Sequence, residues 1–237
     1  MSFSEVDPKV AYAQKAFQAP EGATDILLIR HGQSEGMSSS SYPRLPSGQA
    51  DPALSPLGHQ QAARMGERLS EVGIQAIYCS TLIRTQQTAA PLANFTGLDP
   101  VVVPDLREVE LGDWEGGEFR KRSQEKDASF IEMMRKGDWG IVPKGETNEQ
   151  FGSRVRGALE KIQSAHPAER VAVVCHGGVI GIAIALATGC SPMSFMHVDN
   201  CSITQMLMVD DLWIVRRVND TAHLGPAFPP VTDEEVM

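Results

Sequence analysis

Four places in this chain combine side chains that hold anions or move protons with backbone that turns sharply. Arg30, His31 and Gly32 follow the apolar run "ILLI" in "DILLIRHGQSEG" (25–36). Arg84 follows "AIYC" in "CSTLIRTQQTA" (79–89), and His176, Gly177 and Gly178 follow "VAVV" in "VAVVCHGGVIG" (171–181). Glu108 lies in "LREVELGDWEG" (106–116), after "VVV" at 101–103. An ordinary strand end turns on Gly, Asn or Asp, and neither a guanidinium nor an imidazole helps it turn. Cations and titratable nitrogens at strand tips point to a ligand.

The chemistry they suit is phosphoryl chemistry. Guanidinium forks and the backbone N–H groups of helix starts, Gly177 among them, match the oxygens of a phosphoryl group. Neutral imidazole is a competent nucleophile towards phosphorus, and nearby cations disfavour its protonation. His31 can therefore become a phosphohistidine. A carboxylic acid close by, with Glu108 as the candidate, would protonate the departing alkoxide, and its conjugate base would activate water. Taken singly, each residue has an ordinary structural explanation; the signal is their coincidence at the exits of one sheet. A metal site is the competing use of His31, His176 and Glu108. Arginines at the same point oppose a divalent cation, and the chain has no H-E-x-x-H or paired-Cys spacing, so no metal is expected.

The elements that must position these residues alternate along the chain. "ILLI", "AIYC", "VVV" and "VAVVC" read as strands. Residues 56–72, 82–95, 147–166 and the nearly all-apolar 177–189 read as helices, and "SQEKDASFIEMMRKG" (123–137) as one more. "SITQMLMV" and "LWIVRRV", separated by Asp210 and Asp211, read as a closing antiparallel hairpin. The expectation is an α/β fold: three layers, α/β/α, with a mostly parallel central sheet, an antiparallel edge strand and sites beyond the strands' carboxyl ends. Residues 1–24 lack a periodic pattern and read as an N-terminal arm, with a single domain over 25–237.

Composition narrows the function classes. The 237 residues carry 21 basic and 30 acidic side chains, a net charge of −9, which argues against nucleic-acid binding through diffuse positive charge. No apolar run reaches the roughly 20 residues of a membrane helix, and the N-terminus lacks a signal-peptide core, so a soluble cytoplasmic protein without a membrane partner is expected. Cys79, Cys175, Cys190 and Cys201 show no C-x-x-C spacing and read as reduced thiols, although Cys79 and Cys175 both end strands that can be neighbours. His59, His166 and His197 read as structural.

These motifs bring a family into view. The chain resembles the histidine phosphatase superfamily, phosphoglycerate mutase-like branch, through "LIRHGQSE", "DPALSPLGHQQA" (51–62), "CSTLIRTQQTA", "LREVELGDWEG", "GETNEQFGSRV" (145–155), "VVCHGGVIG" and "NDTAHL" (219–224), in order and together spanning about 26–224. The resemblance implies that His31 is the phosphorylated nucleophile and that Arg30, Arg84 and His176 hold the phosphoryl oxygens. It implies that Glu108 is the general acid and base, with Glu110, Asp113 and Glu115 as rivals, and that Gln33 and Ser34 add donors to the phosphate. It implies no metal or organic cofactor. Met37 stands where many members carry Asn, so the resemblance implies that a phosphate contact is either missing or replaced by Ser38 or Ser39.

The resemblance further implies a phosphomonoester hydrolase acting on a phosphorylated small molecule. "ELGDWEGGEF" is similar to the phosphatase branch, whereas mutases typically carry an E-R-x-Y-G type pattern and a long arginine-rich insertion. The alternatives are a cofactor-dependent phosphoglycerate mutase, for which Arg120, Lys121 and Arg122 would offer a second anion clamp, and a non-catalytic phosphate-binding protein on the same fold. The oligomeric state is open, pairing of sheet edges being one route to a homodimer.

Overall fold

Alternation of apolar side chains on the central strands builds the molecule in layers. On β1 (Thr24–Arg30), Ile26 and Leu28 enter one core while Leu27 and Ile29 enter the other. On β4 (Arg170–Cys175), Val171, Val173 and Cys175 join the first and Ala172 and Val174 the second. Strands apolar on both faces require cover on both faces. The computed structural model, which describes residues 13–37 and 42–225, supplies it with helices on either side of one six-stranded sheet.

The strand order is β3-β2-β4-β1-β5-β6, adding β2 (Ile74–Cys79), β3 (Val101–Val102), β5 (Ile203–Val209) and β6 (Leu212–Asp220). β1, β2, β3 and β4 run parallel. β5 is antiparallel to β1, and β6 is antiparallel to β5. The reversed strand is therefore second from the edge, and β6 at the edge returns to the common direction. The second core is closed by α1 (Pro56–Leu69) and α2 (Ile83–Thr96). The first is closed by α5 (Asn148–Ala165) and α6 (Gly177–Thr188), with α3 (Glu118–Gln124) and α4 (Ala128–Lys136) beside them. Each fully buried Leu, Ile or Phe of these layers contributes roughly 1.5–3 kcal/mol.

The single helix expected over 123–137 is two helices, and α3 begins earlier, at Glu118. Lys126 takes a positive φ of 52° between them. Asp127 then caps α4, its Oδ1 accepting from the backbone N–H of Ser129 at 3.0 Å. Asp favours such caps over helix interiors. α5 begins where the spacing places it, at a capping box between Thr147 and Gln150. Cys79 and Cys175 are free and buried on adjacent strands, but their side chains fall in opposite layers. The first half of the expected arm, with Ser38 and Ser39, lies outside the described residues.

One polar brace ties the loop after β3 to the helical layer. Arg154 of α5 donates through Nη1 to the carbonyls of Asp105 (2.9 Å) and Arg107 (2.7 Å), and through Nη2 to that of Glu108 (2.9 Å). Its Nε and Nη2 also grip the two oxygens of Glu146 at 2.7 and 2.6 Å, and Glu146 accepts from the Glu110 N–H at 2.9 Å. Both side chains are about 15% exposed, so the groups have little water to fall back on. Arg154→Ala should therefore destabilise the fold by about 3 kcal/mol in urea unfolding. Arg154→Lys should recover only part, because an ammonium lacks the planar fork; full recovery would reduce the brace to a simple charge contact.

Candidate phosphate site

Register brings the distant motifs together. Arg30 pairs with Cys175 across β1 and β4, so the next residues, His31 and His176, leave the sheet side by side, with ring centroids 5.2 Å apart. Cys79 of β2 pairs with Val174 of β4, which puts Ser80 and the first turn of α2 on the flank of the same exit. The side chain of Asp51 accepts from the Ile83 N–H at 2.8 Å, supplying the start of α2 with the acceptor that Leu82 lacks. Arg84 then reaches inward: its Nε donates to His31 Nε2 at 3.2 Å and its Nη1 to the Ala50 carbonyl at 3.2 Å, with Asp51 at 4.0 Å.

These bonds settle the His31 tautomer. Its Nδ1 lies 2.7 Å from the Gly32 carbonyl, which can only accept, so Nδ1 carries the proton. Nε2 carries the lone pair and receives Arg84. His31 is 7% exposed, and burial, then Arg84 and Arg30, hold its pKa well below the usual imidazole value. His176 lies fully buried behind it; its Nε2 is 2.8 Å from Ser80 Oγ, and its Nδ1 has no partner among the described residues. Burial and Arg84 keep it neutral too. The Arg30 guanidinium donates to the Val198 carbonyl, and its buried Nε is without a partner. Burial lowers the pKa of Arg84 to about 10 and that of Arg30 as well. The result is a largely buried cluster of two cations and two neutral imidazoles.

Glu108 faces this cluster from the braced loop. Its Oε2 accepts from the Gly178 N–H at 3.1 Å and its Oε1 from the Val109 N–H at 3.0 Å. A Cβ on Gly178 would stand 2.3 Å from Glu108 Oε1, so only glycine lets the carboxylate approach the start of α6. Arg30, His31, Arg84 and Glu108 line a common cavity of about 200 Å³. Gly177 starts α6 behind it, and a Cβ there would stand 2.5 Å from the Met196 carbonyl.

Other candidates are placed elsewhere. Gln33 binds Ser55 Oγ through Oε1 at 2.8 Å and is exposed, and Ser34 Oγ receives Arg120 Nη2 at 2.8 Å; neither lines the cavity. Gln33 Oε1 and Ser34 Oγ thus act as acceptors within the scaffold. Among the rivals of Glu108, Glu115 lines the cavity, but its oxygens accept from the N–H groups of Ala50 (3.0 Å) and Leu111 (3.1 Å). Asp113 pairs with Lys144, and Glu110 sits 3.6 Å from Arg107. Arg120 lines the cavity, whereas Lys121 and Arg122 pair with Glu118. Gln49 carries no signal in the sequence, and His223 falls within the motif "NDTAHL" without a role of its own there. Gln49 donates to the Glu108 carbonyl at 2.8 Å. His223 receives Arg68 on Nδ1 and donates to the Cys201 carbonyl at 3.0 Å, and the Cys201 N–H in turn holds the Arg30 carbonyl at 2.9 Å. Among the described residues no three His, Cys, Asp or Glu are placed to share a metal ion.

Comparison with known proteins agrees with this geometry. A relative from Yersinia enterocolitica described as "Probable phosphoglycerate mutase GpmB" is 30% identical over 216 residues, which cover 88% of this chain and 97% of that protein. The native structure of a mycobacterial glucosyl-3-phosphoglycerate phosphatase is 26% identical with a TM-score of 0.69, covering 84% of this chain and 99% of that one. A phosphoglycerate mutase from Bacillus anthracis is 20% identical with a TM-score of 0.70, over 86% and 96% of the two chains, and shares the fold. The family model for the histidine phosphatase superfamily (branch 1) matches residues 26–221. With the two histidines, two arginines and facing carboxylate assembled at the strand exits, the chain belongs to the histidine phosphatase superfamily.

Proposed function

We propose that the chain hydrolyses phosphomonoesters through a phosphohistidine at His31, without a metal. The observation that carries this reading is the His31 lone pair on Nε2, held neutral beside Arg84 and Arg30 and opposite Glu108. The guanidinium groups of Arg30 and Arg84 take the phosphoryl oxygens, with His176 behind His31 as a further polar contact. Nε2 attacks phosphorus, the bond from phosphorus to the ester oxygen breaks, and that oxygen takes the proton of the Glu108 carboxylic acid. Water then attacks the phosphohistidine while the Glu108 carboxylate accepts its proton. Inorganic phosphate leaves and His31 is restored.

Phosphatase and mutase differ in what receives the phosphoryl group. The mycobacterial neighbour's description supports water as the acceptor, and the Yersinia relative's description supports a second substrate molecule. Conversion of 3-phosphoglycerate to 2-phosphoglycerate, with and without 2,3-bisphosphoglycerate, run beside phosphate release from a panel of esters, separates the two. The free, largely buried cysteines suit a reducing compartment, and the cytoplasm is the proposed location.

Three outcomes test the roles. His31→Ala should abolish trapping of a phosphoenzyme and lower turnover by at least about a thousandfold with the fold intact; near-normal activity would overturn the nucleophile. Glu108→Gln should slow release of the alcohol in a single turnover by about 100-fold or more with alkyl phosphates and far less with nitrophenyl phosphate, whose leaving group needs no proton; equal losses in that step would move the acid elsewhere. The third is pH dependence of stability. His31 and His176 have folded pKa values below their unfolded ones, so the unfolded chain binds more protons as pH falls. Their contribution is complete above about pH 6.5 and lost below it. The thermal midpoint should therefore fall more between pH 7.5 and 5 in the wild type than in His176→Asn; identical slopes would mean that His176 is not held neutral.

A further inference from the structure

Away from the phosphate cluster, much of the cavity wall is apolar, with Gln49, Glu115 and Arg120 set among apolar side chains. Phe119 of α3 stands part-exposed on it, its ring 6.3 Å from Trp114 and 6.0 Å from Trp139, and edge-on to Phe130 at 5.5 Å. Trp114 and Trp139 are almost wholly buried, so the ring of Phe119 is held from behind while one side meets the cavity. Met37, Leu111 and Met196 continue the same wall.

Most polar groups on this side already have partners, and the two that lack one among the described residues, Gln49 Oε1 and Trp139 Nε1, are buried away from the opening. Both oxygens of Glu115 are bound to backbone N–H groups, and burial raises its pKa. Arg120 donates through Nη2 to Ser34 Oγ at 2.8 Å and through Nη1 to the Glu35 carbonyl at 3.2 Å. A polyhydroxylated body entering here would give up its bonds to water and find few replacements, at roughly 1–3 kcal/mol for each unmatched group. A flat apolar body loses nothing comparable and gains contact with aromatic faces. A cavity of about 150 Å³ accepts a benzene ring in other proteins; this one measures about 200 Å³ with its phosphate end included and opens to solvent beyond the aromatic wall.

We propose that the site takes phosphomonoesters whose alcohol carries an aromatic or comparably flat apolar body, and that Phe119 is the residue that selects them. The proposal deepens the phosphomonoester reading and rests on it for the phosphate end. Sugar phosphates and phosphoglycerates are then poor ligands on this wall.

Binding tests it without turnover. Titration calorimetry with benzylphosphonate and 2,3-dihydroxypropylphosphonate on the wild-type chain should show the benzyl ligand binding at least about tenfold tighter, the factor that about 1.4 kcal/mol of aromatic contact gives. Phe119→Ala should cut that preference to about threefold or less, and Phe119→Leu should keep more of it. Hydrolysis of 2-phenylethyl phosphate against glycerol 3-phosphate, both with alkoxide leaving groups, should show the same ratio in kcat/KM. Equal binding, or preference for the dihydroxypropyl ligand, overturns the proposal, as does an undiminished preference in folded Phe119→Ala. Benzyl preference without hydrolysis of either ester upholds the pocket and overturns the hydrolase. Failure of both phosphonates to bind overturns the phosphate site itself.

Discussion

Packing two guanidinium groups and two imidazoles into one largely buried space is the constraint on which the rest of this structure depends. Desolvated cations repel one another, and the molecule answers with the Glu108 carboxylate facing both arginines and with oriented dipoles. The carbonyls of Val198 and Ala50 receive Arg30 and Arg84, and the nearest carboxylate to Arg84, Asp51, stands at 4.0 Å. The imidazoles remain neutral because a third and fourth cation in that volume would cost too much. An arriving phosphate dianion would add negative charge between the two arginines. On the proposed reading, the nucleophile and the binding site are products of the same electrostatic arrangement.

Sheet register makes the arrangement stable. The pairing of Arg30 with Cys175 fixes His31 beside His176, and a slip of one residue would exchange every side chain between the two cores. With Ile26, Leu28, Val171 and Val173 committed to one layer and Leu27, Ile29, Ala172 and Val174 to the other, slippage would bury the wrong face on both sides. Apolar packing therefore fixes the polar site to within a bond length without contributing an atom to it.

Much of this is legible in the residues alone. Strand exits ending in Arg30-His31, Arg84 and His176 announce themselves because those types do not make turns, and Thr147 with Gln150 marks the start of α5 through a local bond. What stays hidden depends on partners far apart in the chain. Gln33 and Ser34 read as phosphate donors from their position after His31, but nothing local shows that their oxygens accept from Ser55 and Arg120. Arg154 looks like any helix arginine until it meets three carbonyls of the loop that carries Glu108. The break between α3 and α4 is hidden because 120–127 is an unbroken polar stretch without Gly or Pro, and only the positive φ of Lys126 and the cap at Asp127 interrupt the backbone.

The mounting of Glu108 divides the molecule in a way that bears on its history. Its carboxylate is bound to the first turn of α6 and its carbonyl to α5, so it belongs mechanically to the sheet and its helices, although it sits in a loop. The wall formed by α3 and Met37 shares neither attachment. Substitutions or insertions in that wall can accumulate without disturbing proton transfer, so selectivity and chemistry are free to diverge at separate rates. A lineage on this scaffold can acquire a new substrate by rebuilding one side of a pocket while inheriting the other unchanged.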